Sequence, residues 1–98
     1  MIFGAHKKAW NVDLSRNLLA FDMSKVVFST NLFMLDVNHN KIFGGLPPQM
    51  SKLSLTSLNV SYNRLCGQIP KGKKLKRFGV DSYFHNKCLC GKPLESCK

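Results

Sequence analysis

The fold is decided by a stretch near the middle of the chain in which apolar residues bracket a single asparagine. Residues 58–70 read Leu58-Asn59-Val60-Ser61-Tyr62-Asn63-Arg64-Leu65-Cys66-Gly67-Gln68-Ile69-Pro70. The apolar positions are Leu58, Val60, Leu65 and Ile69. Alternation from Leu58 to Val60 has the two-residue period of a β-strand, and Gly and Pro are typical of the turn that follows. The stretch therefore predicts a short strand that ends at a turn.

The same pattern occurs at two earlier places in the chain. Subtracting 23 from each number gives Leu35, Val37, Asn40, Ile42, Gly44, Leu46 and Pro47. Subtracting 23 again gives Val12, Leu14, Asn17 and Leu19. Units in one register that bury their apolar faces against each other are typical of leucine-rich repeats. The pattern predicts an α/β leucine-rich-repeat solenoid, with short parallel β-strands on its concave face, a 3₁₀ or irregular convex side and a C-terminal disulfide cap.

Asn17, Asn40 and Asn63 occupy the same place in the three units, directly after the strand. A chain that turns inward there leaves backbone N–H and C=O groups without ladder partners, and an unpaired buried group costs about 1–3 kcal/mol. One amide side chain offers both donors and acceptors. We therefore predict a structural asparagine ladder, with no separate binding role.

The repeat pattern divides the chain into three parts. Residues 1–9 are predicted to be the remnant of a truncated repeat, residues 10–70 three repeats, and residues 71–98 a basic loop followed by a cysteine-rich cap. The period of 23 residues is expected to stop after Pro70. The last apolar layer of a solenoid needs an atypical covering unit, which the aromatic and cysteine residues of the cap would supply.

Four cysteines lie near the C-terminal end of the sequence: Cys66, Cys88, Cys90 and Cys97. An even number clustered in a small chain is typical of a disulfide-stapled secreted module. Of the three pairings that four cysteines allow, a Cys88–Cys90 bridge is disfavoured by strain, which leaves two. Because the sequence shows neither a signal peptide nor a membrane-spanning run, we expect it to be the C-terminal part of a longer secreted protein.

Residues that point away from the core on the strands form the candidate binding surface, because a parallel sheet projects them in rows. The predicted partner-binding residues of the concave face are Asp13, Ser15, Arg16, Met34, Asp36, Asn38, His39, Ser57, Asn59, Ser61 and Tyr62. Asn59 also begins the one N-x-S/T sequence of the chain and is a glycosylation candidate.

The charge balance points to anionic partners. The formal net charge is +10, from fifteen Lys and Arg against five Asp and Glu. Five of the cations fall within seven residues: Lys71, Lys73, Lys74, Lys76 and Arg77. A basic run of this kind prefers polyanions, which are nucleic acid, acidic polysaccharide or an acidic protein surface. Nucleic acid is disfavoured because no aromatic platform or nucleic-acid motif accompanies the charge.

Catalytic and metal chemistry fit the pattern less well. Asp36 and His39, with Ser15 or Ser61 on a neighbouring strand, superficially offer a Ser-His-Asp set, but nothing in the pattern supplies a pocket or an oxyanion site. We predict no enzyme and no cofactor.

A zinc site at the C-terminal end would use His85, Cys88, Cys90 and Cys97 as its four ligands. Structural zinc sites more often use C-x2–4-C pairs, and this reading leaves Cys66 without a role. We therefore predict disulfides and no metal.

Four segments together resemble the C-terminal end of plant polygalacturonase-inhibiting proteins, over essentially the whole chain. They are residues 12–22, 38–42, 58–70 and 83–97, and the most specific is Cys88-Leu89-Cys90-Gly91 within the last one. The strand consensus alone is common to all leucine-rich repeats. The N-terminal cap and most repeats of that family are absent, and the segment 71–77 is more basic than is usual in it.

The resemblance implies a secreted cell-wall glycoprotein that binds microbial endopolygalacturonase through its concave face in plant defence. It also implies association with pectin, for which Lys71, Lys73, Lys74, Lys76 and Arg77 are the candidates, and it implies disulfides Cys66–Cys88 and Cys90–Cys97. No nucleic acid and no membrane span are expected in this chain. The alternatives are an inactive fragment and the membrane-proximal end of a leucine-rich-repeat receptor ectodomain.

Overall fold

The computed structural model describes residues 2–3 and 10–97. In these residues the strands are β1 Ile2–Phe3, β2 Trp10–Asp13, β3 Val27–Phe28, β4 Leu32–Asp36, β5 Phe43–Gly44, β6 Ser57–Asn59, β7 Arg64–Gln68 and β8 Cys88–Cys90. The 3₁₀ helices are η1 Met23–Lys25, η2 Pro48–Lys52 and η3 Val80–Ser82, and one helical turn, α1, spans Lys73–Lys76. Apart from β1, the remnant predicted for residues 1–9 lies outside the described residues.

The predicted strands form a parallel sheet in the order β2-β4-β6. Val12 pairs with Leu35, and Leu35 pairs with Leu58, so the register follows the 23-residue spacing of the sequence. A second parallel sheet, in the order β5-β7-β8, contains the short strands that precede the Leu-Pro and Ile-Pro endings. Along the chain, η1 lies between β2 and β4, and η2 lies between β5 and β6. The second and third repeats therefore contribute one strand to each sheet, whereas the first contributes β2 and an isolated bridge between Asp22 and Phe43.

The core is built from the apolar positions of the consensus. The second and third units bury equivalent pairs: Leu35 and Leu58, Val37 and Val60, Ile42 and Leu65, and Leu46 and Ile69. In the first unit, Val12, Leu14 and Leu19 are partly buried and pack against this cluster. Hydrophobic burial between neighbouring layers is the main stabilising term of such a stack.

The cap packs on the last repeat as a further rung. Val60 N donates to Ser82 O at 2.8 Å, and Tyr62 N donates to Phe84 O at 3.2 Å, so residues 82–84 pair with the segment that directly follows β6. Tyr83 is fully buried, and its hydroxyl donates to Leu75 O at 2.7 Å. Burial raises the pKa of the Tyr83 phenol, which therefore stays protonated as a donor.

The basic segment is not simply a loop, as the sequence suggested. Residues 73–76 form the helical turn α1, because Leu75 is buried in the core while the lysines around it remain exposed. One buried leucine in a charged run is enough to fix the turn against the repeat beneath it.

Replacing Gly44 by Ala is expected to lower the free energy of unfolding by about 2–3 kcal/mol. Gly44 has a φ of +81°, which costs a residue with a Cβ about 1–2 kcal/mol. The new Cβ would also overlap the carboxylate of Asp22, which caps η1 by accepting from Ser24 N, and losing that cap costs about 1 kcal/mol more. Urea unfolding followed by circular dichroism measures the change.

Gly67 provides the matched control for this substitution. Its φ is +100°, but a Cβ there meets nothing within 4 Å. Gly67→Ala should therefore carry only the backbone cost of a positive φ, about 1–2 kcal/mol, without the loss of a cap. Equal losses in the two variants would show that the Asp22 carboxylate moves aside at no cost.

Candidate functional site

The candidate site is the outward face of the β2-β4-β6 sheet, with the turns that follow its strands. The pairing brings Asp13, Asp36 and Asn59 into one row and Met34 and Ser57 into another. Asp13, Arg16, Ser57 and Tyr62 are exposed, and the half-buried members of the predicted set are Ser15, Met34, Asp36, Asn38, His39 and Asn59. Ten of the eleven predicted residues therefore reach the surface.

The prediction that Ser61 lies on the outward face of the sheet is wrong. Its side chain is 3% exposed, and its hydroxyl donates to Asn59 Oδ1 at 2.6 Å. Ser61 lies beyond the end of β6, where the chain turns inward and the alternation of a strand no longer applies. Asn59 Oδ1 also accepts from Ser61 N, so the glycosylation candidate has its side-chain oxygen occupied within its own turn.

The row of acidic and amide side chains is held in place by hydrogen bonds. Asp13 accepts from Ser15 Oγ at 2.7 Å and from Ser15 N at 3.0 Å. Asp36 makes the corresponding contacts with Asn38. The Ser15 hydroxyl, and then its backbone N–H, hold the pKa of Asp13 below the usual range. This contribution to stability is present above the ordinary carboxyl pKa and is lost as the pH falls through the lowered one.

Of the predicted asparagine positions, Asn40 and Asn63 are buried to the same degree, whereas Asn17 is not buried. Asn40 Nδ2 donates to Leu14 O and Val37 O, both at 2.9 Å, and its Oδ1 accepts from Leu19 N. Asn63 repeats these contacts one unit later. Asn17 is exposed and donates within its own turn.

Sequence reasoning missed a fourth member of this series, Asn86. Its Nδ2 donates to Val60 O at 3.2 Å and Tyr83 O at 2.8 Å, and its Oδ1 accepts from Leu65 N at 3.0 Å. The signal was available, because Asn86 follows Asn63 by 23 residues. The expectation that the period stops after Pro70 is therefore wrong.

His85 is the second missed residue, at the position of the cap that corresponds to Tyr62. Arg16, His39, Tyr62 and His85 have φ values of 54°, 56°, 56° and 57°. The ring of Tyr62 stacks between His39, with centroids 4.1 Å apart, and His85, at 4.4 Å. Phe84 meets Tyr62 edge-on at 5.4 Å. We call His39, Tyr62, Phe84 and His85 the aromatic column.

The side chains suggested for a catalytic triad make other contacts. Ser15 Oγ donates to Asp13, and Ser61 Oγ donates to Asn59. His39 Nδ1 lies 2.5 Å from Asn38 Oδ1. A nucleophilic serine needs a base within hydrogen-bond reach, and these hydroxyls are engaged elsewhere.

The cysteines form the two bridges Cys66–Cys88 and Cys90–Cys97, the pairs that the family resemblance implies. Cys66 and Cys88 lie directly opposite each other in the ladder of β7 and β8. The four sulfur atoms are therefore bonded in two pairs and are not available as zinc thiolates. Within residues 2–3 and 10–97, no group of three or more His, Cys, Asp or Glu is placed to hold a metal ion.

The basic segment divides into tethered and exposed cations. The guanidinium of Arg77 donates to Leu55 O and lies 5.2 Å from the ring of Phe78. The remaining four cations of the segment are exposed: Lys71, Lys73, Lys74 and Lys76. A cavity of about 510 Å³ lies between this segment and the cap, and Lys71, Lys76 and Lys92 contribute to its lining.

Comparison with known proteins agrees with this architecture. The family model described as Leucine Rich Repeat matches residues 31–53 and 54–72. The chain is 61% identical over 98 residues to a polygalacturonase inhibitor of Pyrus communis, covering all of this chain and 30% of the relative. It is 57% identical over 98 residues to polygalacturonase inhibitor 2 of Arabidopsis thaliana, again covering all of this chain and 30% of the relative. The chain belongs to the polygalacturonase-inhibitor family of leucine-rich-repeat proteins.

The chain spans about 30% of the length of these curated inhibitors. Among solved structures, a plant ice-binding protein matches with a TM-score of 0.81 and 49% identity, over 84% of this chain and 27% of that one. In the part of the chain that the structure describes, no helix has the length and apolar character needed to cross a bilayer.

Proposed function

We propose that this inhibitor-family chain binds a microbial endopolygalacturonase through the face of the β2-β4-β6 sheet. The observation that carries the proposal is the identity of 57–61% with inhibitors over all 98 residues. Support comes from the geometry, because polar and charged side chains stand in rows on this face and hydrogen bonds order several of them. Preorganised side chains lose little entropy on binding.

The proposal includes the setting and the shape of the protein. Three repeats at 10–70 and a cap at 71–98 would form one end of a solenoid, with the β2-β4-β6 sheet on its concave side. The protein would act outside the cell, in the plant cell wall, without catalysis of its own. Two disulfides suit an oxidising compartment. The exposed lysines of the basic segment would contact pectin.

The test is inhibition of a fungal endopolygalacturonase by the full chain, produced in an oxidising host. Ser57→Arg should weaken binding about tenfold or more, because a long cation would intrude on the centre of the sheet face. Release of reducing ends from polygalacturonate and surface plasmon resonance measure inhibition and affinity.

Ser54→Arg is the control, since it places the same side chain at an exposed position outside β6. We expect its affinity to stay within about threefold of the parent. Folded protein that inhibits no enzyme would overturn the proposal for this chain. Equal weakening by both variants would show that the sheet face is not the contact surface.

A further inference from the structure

The aromatic column shows which part of each ring is available to a partner. Both faces of Tyr62 are covered by imidazole rings, with interplanar angles of 14° to His39 and 22° to His85. Tyr62 is nevertheless 39% exposed. The exposed part must therefore be the ring edge and the hydroxyl.

Ring edges favour electron-rich partners. The edge of an aromatic ring carries the positive end of its quadrupole, while the face carries the negative end. Tyr62 adds a hydroxyl donor, and each imidazole carries at least one N–H. The surface of the column is therefore rich in donors and suits carboxylate and carbonyl oxygens.

Exposed cations close to the column in the sequence reinforce this preference. Exposed cations follow three column positions by two residues: Lys41, Arg64 and Lys87. Asp36, at the end of β4, precedes His39 by three residues and already accepts hydrogen bonds from Asn38. At the cap end of the column, Glu95 lines the same pocket as Phe84 and His85, so the cations outnumber this acid. The net charge of the chain is +10, so the same sign extends over the molecule.

We propose that the aromatic column is the anchor of the inhibitor interface, and that it fits an acidic patch on the surface of the endopolygalacturonase. This inference rests on the proposed function and deepens it, since it extends the contact surface from the repeats onto the cap through Phe84 and His85. Aromatic residues dominate the energetics of interfaces, and mutual stacking fixes these rings before binding. The column directly continues the rows of the β2-β4-β6 face, because His39 and Tyr62 follow Asp36 and Asn59 by three residues.

The experiment measures binding of the full chain to an immobilised fungal endopolygalacturonase that the parent inhibits. His85→Ala should weaken binding about tenfold or more, whereas His85→Phe, which keeps a stacked ring, should stay within about threefold of the parent. Lys52→Ala removes an exposed cation of η2, outside the column, and should also change the affinity by less than about threefold. Thermal unfolding of each variant checks that the fold is retained.

Several outcomes would overturn the inference. One is His85→Ala binding as tightly as the parent, and another is equal weakening by His85→Ala and Lys52→Ala, which would show that the effect is not local to the column. Binding to polygalacturonate is measured in parallel. If His85→Ala loses binding to polygalacturonate but keeps its affinity for the enzyme, the polysaccharide and not the enzyme occupies the column. If the parent binds none of the enzymes, the proposed function fails first, and the inference fails with it.

Discussion

Replacing Asn63 by Ala is expected to lower the free energy of unfolding by about 3–4 kcal/mol, one of the two largest effects expected for this chain. The buried amide donates to Val37 O, Val60 O and Ser61 O and accepts from Ile42 N. Alanine would leave Ile42 N buried without its acceptor, at about 1–3 kcal/mol. It would also remove one hydrogen bond each from Val37 O, Val60 O and Ser61 O, at about 0.5–1.5 kcal/mol per bond, although these carbonyls still accept from Asn40, Asn86 and His39. Urea unfolding monitored by far-ultraviolet circular dichroism, under oxidising conditions, gives the change.

Asn17 provides the matched control, because it is the same residue type at the same place in the first unit. It is exposed and donates only to Leu14 O and Ser15 O of its own turn, as far as the described residues show. Water can replace those contacts, so Asn17→Ala should cost less than about 1 kcal/mol. If the free energies of unfolding of the two variants differ by less than about 0.5 kcal/mol, burial of the asparagine does not stabilise the fold.

The strands and their register could be predicted because the core residues of a leucine-rich repeat recur at a fixed spacing in the sequence. Leu35 and Leu58, or Val37 and Val60, need only the same spacing and an apolar side chain to stack. The asparagine positions follow from the same arithmetic, since a turning backbone needs one amide per layer. In these units the local sequence pattern agrees with the tertiary packing, so the pattern alone predicts their structure.

The cap was harder to recognise because it lacks the apolar pattern of the strand, although its turn keeps the asparagine at the 23-residue spacing. Asp81 stands where Leu58 stands in the repeat before it, and Tyr83 replaces Val60. The apolar alternation is therefore lost, although Asn86 keeps the hydrogen bonds of Asn63. Aligning by the asparagine instead of the leucines would have identified the cap as a fourth rung.

The details of the candidate site depended on backbone geometry that the sequence does not display. His39, Tyr62 and His85, whose rings stack, all have a positive φ, which is uncommon for any residue other than glycine. Ser61 looked exposed because the two-residue period was continued past Asn59, where β6 ends. Side-chain contacts across repeats decide both features, and a single strand pattern does not contain them.

Removing the Cys66–Cys88 bridge by Cys66→Ala and Cys88→Ala is expected to lower the free energy of unfolding by about 3 kcal/mol. The bridge closes a loop with a sequence separation of 22 residues, and loop-closure entropy of the unfolded chain gives about this value. The loss should be felt at the end of the stack, because the two cysteines are direct partners in the ladder of β7 and β8. If the pairing of β7 and β8 weakens, the hydrogen bond from Leu65 N to Asn86 Oδ1 should also be lost.

The second bridge supplies the comparison for the first. Cys90–Cys97 closes a separation of seven residues, so its removal by paired alanines should cost about 2 kcal/mol. Both double variants are compared with the parent by urea unfolding, and mass spectrometry after thiol alkylation checks that the remaining bridge is intact. A larger loss for Cys90→Ala with Cys97→Ala would contradict the loop-length argument. It would place the main stabilisation of the cap in residues 90–97 and not in the bridge that joins the cap to the last repeat.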